Sequence, residues 1–118
     1  MRFLMLVMSD AEGEPYDARH DTIGAWVDEM TDRSIAVDGD RLRPSTEATT
    51  VRMRGGELVV TAGAPAESTA QIVGFDILEC RDADEAIEVA SKHPMARFGR
   101  LELRASWPLE LDETGRPV

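Results

Sequence analysis

Apolar residues gather at the start of the chain, where Phe3-Leu4-Met5-Leu6-Val7-Met8 forms an unbroken run that Ser9 and Asp10 end. Successive side chains of a strand point to opposite faces, so bulky apolar groups at consecutive positions predict a central strand over residues 2–8. The stretch from Ser9 to Tyr16 is polar, contains Gly13 and Pro15, and reads as a loop. From about Ala18 the period changes. Ile23, Trp26, Val27 and Met30 are spaced as one face of a helix, with Asp17 as its N-cap, and this stripe is expected to pack on a sheet.

A linker with Gly39 and Pro44 follows Ser34 and leads into Ala48-Thr49-Thr50-Val51-Arg52-Met53-Arg54, where alternation and β-branched residues predict a strand. Gly55-Gly56 supplies a hairpin turn before Glu57-Leu58-Val59-Val60-Thr61. Residues 71–79 predict another strand, with Val73, Phe75 and Ile77 on one face and Gly74, Asp76 and Leu78 on the other. Asp82 and Glu85 stand at the spacing of a capping box for a second helix. Its packing face is Ala83, Ala86, Ile87 and Ala90, and Pro94 stops it. Leu101, Leu103, Ala105 and Trp107 alternate with Glu102, Arg104 and Ser106 in a last strand. The order is strand, helix, hairpin region, strand, helix, strand. It predicts an α+β fold, a ferredoxin-like two-layer sandwich with an inserted hairpin, occupying residues 1–118 as one domain with a partly ordered tail after about residue 108. Apolar groups on both faces of two strands make self-association as a homodimer the expected state.

Length and charge narrow the function classes. The 118 residues fit one domain, and one that needs no disulfide or structural metal to fold. The single cysteine, Cys80, has no internal partner and reads as a small buried hydrophobe. A net charge of -10 argues against nucleic acid or an anionic membrane as a partner. The N-terminal apolar run is too short for a membrane span, so a cytoplasmic location is expected. Lys92 is the only lysine, so anion recognition would fall mainly to arginine.

The chain resembles the YCII-related (DGPF-type) family. The resemblance is carried by Arg2-Phe3-Leu4-Met5-Leu6-Val7, by Leu42, Pro44 and Ala48-Thr49-Thr50-Val51-Arg52, and by Gly55-Gly56. Further along it rests on Gly74-Phe75, Asp84-Glu85-Ala86, His93-Pro94, Gly99 and Glu102-Leu103-Arg104. The Asp-Gly-Pro-Phe signature would fall on Ala62-Gly63-Ala64-Pro65, so Ala62 stands where the family has a carboxylate. The resemblance implies a dimeric α/β barrel of facing sheets with a cleft as an active site, and it implies no single reaction.

His93 is the first candidate for chemistry, because imidazole exchanges protons near neutral pH; capping a helix end is its structural alternative. Glu67 matches a family glutamate and would accept a proton, orient His93 or bind a ligand donor; anchoring its loop is the structural alternative. Glu102 and Arg104 share a strand face and would present an acceptor and a donor, or form an ordinary surface pair. Arg52 and Arg54 share a face with Thr50 and would bind a carboxylate or phosphate, or simply be solvated. His20-Asp21 is a weaker pair, since adjacent helical residues do not face each other. No metal or nucleotide motif is present, and no cofactor is expected. Two readings result. One is a small acid/base enzyme acting on a polar or aromatic metabolite, with His93, Glu67 and Glu102 catalytic and Arg52, Arg54 and Arg104 holding the ligand. The other is a non-catalytic dimer that binds a small anionic or aromatic ligand or a protein partner.

Overall fold

The doubly apolar first strand takes the middle of the sheet. In the computed structural model of the chain, which describes residues 1–64 and 70–118, the elements follow in order. They are β1 (Arg2–Asp10), α1 (Ile23–Asp32), β2 (Ala36–Arg41), β3 (Thr49–Arg54), β4 (Glu57–Ala62), β5 (Ala70–Glu79), α2 (Ala83–Ser91), α3 (Met95–Phe98) and β6 (Gly99–Ala105). The main sheet has the order β2-β5-β1-β6, and every neighbouring pair is antiparallel. The chain is therefore α+β, with a split β-α-β connectivity. The β3–β4 hairpin is a separate two-stranded sheet inserted between β2 and β5. Its Gly55 and Gly56 have φ of 59° and 81°, the left-handed turn backbone that glycine adopts without strain. Within one chain the described strands leave the sheet open and close no barrel.

The helices cover one face of this sheet. Phe3, Met5 and Val7 of β1, Leu78 of β5, Trp26 and Met30 of α1, and Ala86, Val89 and Ala90 of α2 form one buried cluster. The Trp26 indole N–H donates to the Val89 carbonyl at 2.9 Å, which ties α1 to α2. At the start of α2 the Asp82 carboxylate accepts the Glu85 N–H at 2.8 Å, as expected. The Glu85 carboxylate takes the Arg81 N–H at 2.9 Å rather than that of the cap residue.

Several expectations are corrected. The segment read as a linker contains the edge strand β2, with Asp38, Gly39 and Asp40 paired to Ile77, Asp76 and Phe75. Asp17 caps a short 3-10 turn at Ala18–His20, and the first α-helix begins only at Ile23. Val73 leaves the Phe75 and Ile77 face because a bulge interrupts β5. Val7 pairs with Gly74 and Met8 with Ile72, so Val73 is the extra residue, and it packs on the core. Ile87 is exposed and Val89 takes its place in the core. After Trp107 the chain makes local turns of its own, with the Trp107 indole donating to the Leu111 carbonyl at 3.1 Å.

Candidate functional site

A cleft of about 380 Å³ lies between the β1–α1 loop and the junction of α2 with α3. Glu14, His20 and Thr22 line it from the loop, and Ser91, Lys92, His93, Pro94, Ala96 and Arg97 from the junction. Local sequence places His93 there. The 3.6-residue period of α2 ends at Ser91, and Pro94 starts the short α3, which leaves His93 at the corner. Its ring meets the Trp26 ring edge-on at 4.9 Å, and the residue is only 6 % exposed. His93 does cap a helix, in the sense opposite to the expected one. Instead of donating to the last carbonyls of α2, its Nδ1 accepts the Met95 N–H of α3 at 3.0 Å.

That bond fixes the tautomer. A neutral imidazole that accepts at Nδ1 carries its proton on Nε2. Burial lowers the His93 pKa from 6.5 to about 4, with Asp21 pulling it upward less strongly. At neutral pH the lowered pKa favours the uncharged ring, a donor at Nε2. Of the cations beside it, Lys92 is committed elsewhere. Its ammonium bonds Glu29 at 2.9 Å and lies 3.4 Å from Glu88, within a network that Arg33 joins at 2.7 Å to each of those glutamates. Arg33 and Lys92 hold the Glu88 carboxyl at about 2. Among the described residues Arg97 has one ion-pair contact, from Nη1 to Glu14 at 3.2 Å.

A second shifted group lies on the same side of the sheet. Asp76 pairs with Met5 and with Gly39, so it faces the helical layer, and a Cβ on Gly39 would collide with its Oδ1. Burial alone raises its pKa from 3.8 to about 6. The two shifts act on stability in opposite directions. The His93 shift leaves stability intact above 6.5 and removes it as pH falls toward 4, because only the unfolded chain binds that proton easily. The Asp76 shift favours the fold below 3.8 and is lost as pH rises through 6. Between pH 4 and 6 they oppose each other. Asp76→Asn is expected to gain about 1–2 kcal/mol at pH 7, after allowance for partial solvent screening. It also exposes a steeper acid loss between pH 6 and 4. Urea midpoints at three pH values check this, and an unchanged pH slope would contradict it.

Of the other described candidates, His20 lines the cleft with His93, whereas Glu102, Arg104, Arg52 and Arg54 do not. Strand alternation puts Leu4, Leu6 and Met8 opposite the core side of β1. Leu4 lies between Ile77 and Arg104, Leu6 between Phe75 and Glu102, and Met8 between Ile72 and Arg100. Glu102 and Arg104 are therefore exposed on the face without helices, and the sheet separates them from His93. Arg52 and Arg54 do share one hairpin face with Thr50, as expected, and both are exposed. Their other face carries the pairs Val51–Val60 and Met53–Leu58, each residue 56–64 % exposed. Glu67 lies outside the described residues. Among the described residues, no group of three or more His, Cys, Asp or Glu could hold a metal ion, and no helix is long and apolar enough to cross a membrane. Sequence reasoning missed Arg97, Glu14 and Asp76, whose neighbours are far along the chain and leave no local signal.

The profile of the YCII-related domain matches residues 1–110. The chain belongs to the YCII-related domain family. It is also similar to an uncharacterized protein of Rhizobium meliloti (strain 1021), with 42 % identity over 50 residues. That match covers 42 % of this chain and 40 % of the relative's length.

Proposed function

We propose that this chain works as a homodimer whose two open sheet faces pack on one another, and that it binds a partner molecule rather than carrying out acid/base catalysis at His93. The observation that carries the reading is the apolar row Leu4, Leu6, Met8, Ile72, Phe75 and Ile77 along β1 and β5, on the face opposite the described helices. Antiparallel sheets tolerate one watered face when it is polar, and here its centre is apolar. Facing sheets would give the dimeric barrel that the family resemblance implies.

Charge favours one arrangement of the two copies. The β2 edge of the open face carries Asp38 and Asp40, while the β6 edge carries Arg100, Glu102 and Arg104. Arg100 approaches Asp10 at 3.6 Å. A twofold axis parallel to the strands lays β2 of each copy over β6 of the other, which sets Asp38 over the row of Arg104, while Asp40 meets the row of Glu102. An axis across the strands would set Asp38 and Asp40 against their own copies, which is repulsive. Glu102 and Arg104 then stand at the rim of the interface, where they could take the polar end of a small ligand. The exposed apolar face of the hairpin adds surface for the second copy. The buried, unpaired Cys80 suits a reducing cytoplasm.

His93 supports the binding reading from the other side of the sheet. A ring held neutral, with Nδ1 committed to Met95, is a fixed donor and not a proton shuttle. The reading is tested by the solution mass of the native chain and of Leu6→Asp. Twice the chain mass for the first and a single chain for the second are expected, and a native monomer overturns it.

A further inference from the structure

We propose that the cleft at the α2–α3 junction is a binding site for a small organic monocarboxylate, with His93 Nε2–H and the Arg97 guanidinium as its two donors. The site lies on the helical side of the sheet and does not depend on the dimer. His93 is only 6 % exposed, and among the described residues no group accepts its second ring proton. No fully buried side-chain nitrogen or oxygen among the described residues lacks a hydrogen-bond partner. The Nε2 atom must therefore open to the cleft that His93 lines. A donor in that position is met by water in the open cleft and offers a fixed hydrogen bond to a ligand acceptor that displaces it.

The walls select the acceptor. Arg97 lines the cleft with a guanidinium whose bonds among the described residues run from Nη1 to Glu14 at 3.2 Å. Thr22 and Ser91 add hydroxyls, although the Ser91 proton is given to the Glu88 carbonyl at 2.6 Å. Lys92 is held by Glu29 and Glu88, so it contributes little free charge. Two carboxylates stand close by. Glu14 lines the cleft, and Asp21, bonded by the Tyr16 hydroxyl at 2.7 Å, acts on the His93 ring. One guanidinium and one neutral donor against these acids accommodate a single negative charge and disfavour a dianion such as phosphate. A volume of about 380 Å³ suits a small molecule, and Pro94 and Ala96 supply an apolar side for its carbon skeleton.

Benzoate serves as the probe, with acetate and inorganic phosphate for comparison, in NMR titrations of the native chain that follow the His93 ring and the Arg97 side chain. Saturable shifts of both signals with benzoate are expected, with phosphate at least about tenfold weaker. Arg97→Gln should weaken benzoate by about tenfold or more while the His93 ring stays in place. His93→Phe should abolish it, and if that variant fails to fold, Arg97→Gln still decides. Non-saturating shifts, equal response to phosphate, or indifference to Arg97→Gln would each overturn the proposal.

Discussion

Trp26→Ala is expected to remove about 3–5 kcal/mol of folding stability, a large share of what a domain of this size holds. Trp26 is 4 % exposed and stands where the two helices meet over β1. Truncation opens a cavity that α1 and α2 cannot both collapse into, because each is also seated on the sheet. It also removes the indole bond to the Val89 carbonyl, whose other donor, the Lys92 N–H, is distant at 3.3 Å. Trp26→Phe separates the two effects. It keeps most of the volume and loses the hydrogen bond, so about 1–2 kcal/mol is expected. Urea denaturation checks both values. A loss below about 1 kcal/mol in the alanine variant would mean that the helices pack without the indole.

The second large effect concerns association. Leu6 is the centre of the apolar row, opposite Phe75 on β5 and Glu102 on β6. A twofold axis makes each substitution count twice. Losing one buried leucine per copy costs about 3–6 kcal/mol in all, or about 10²–10⁴ in Kd. Leu6→Asp adds two carboxylates brought face to face in a desolvated interface, beside Glu102 on each sheet. The folded monomer should suffer less than the dimer, because Leu6 is only partly buried there and lies opposite the main core. The variant is expected to sediment as a folded monomer, with a urea midpoint lowered far less than its association. A dimer that survives it would place the interface elsewhere, with the hairpin face as the next surface to alter.

The sequence made the central elements legible because their periods are strong. The apolar run of β1 and the Asp82 N-cap of α2 each agree with their surroundings, whereas the reciprocal bond from Glu85 goes to Arg81. β2 was illegible for a physical reason. Ala36-Val37-Asp38-Gly39-Asp40-Arg41 is an edge strand with charged outward positions, and only its pairing with β5 makes it a strand. The bulge at Val73 and the exposure of Ile87 depend on which neighbour arrives, which periodicity alone does not encode. The site was legible in part. His93 stood out by its chemistry, but nothing local indicated that its Nδ1 would accept the Met95 N–H. Nor could the alternation of Glu102 and Arg104 reveal that their face is the one His93 does not share, because that is set by which side the helices cover. Arg97 and Glu14 meet across most of the chain's length, so their pairing is a product of the fold.

The account's central claim is the face-to-face homodimer, and its most direct test is a charge exchange across the proposed edges. Arg104→Asp and Asp38→Arg are compared singly and together by sedimentation equilibrium. The account predicts that each single change weakens the dimer by placing like charges over one another, and that the double variant restores association toward the native value. Single variants that associate like the native chain, or a double variant no better than the worse single one, would contradict it.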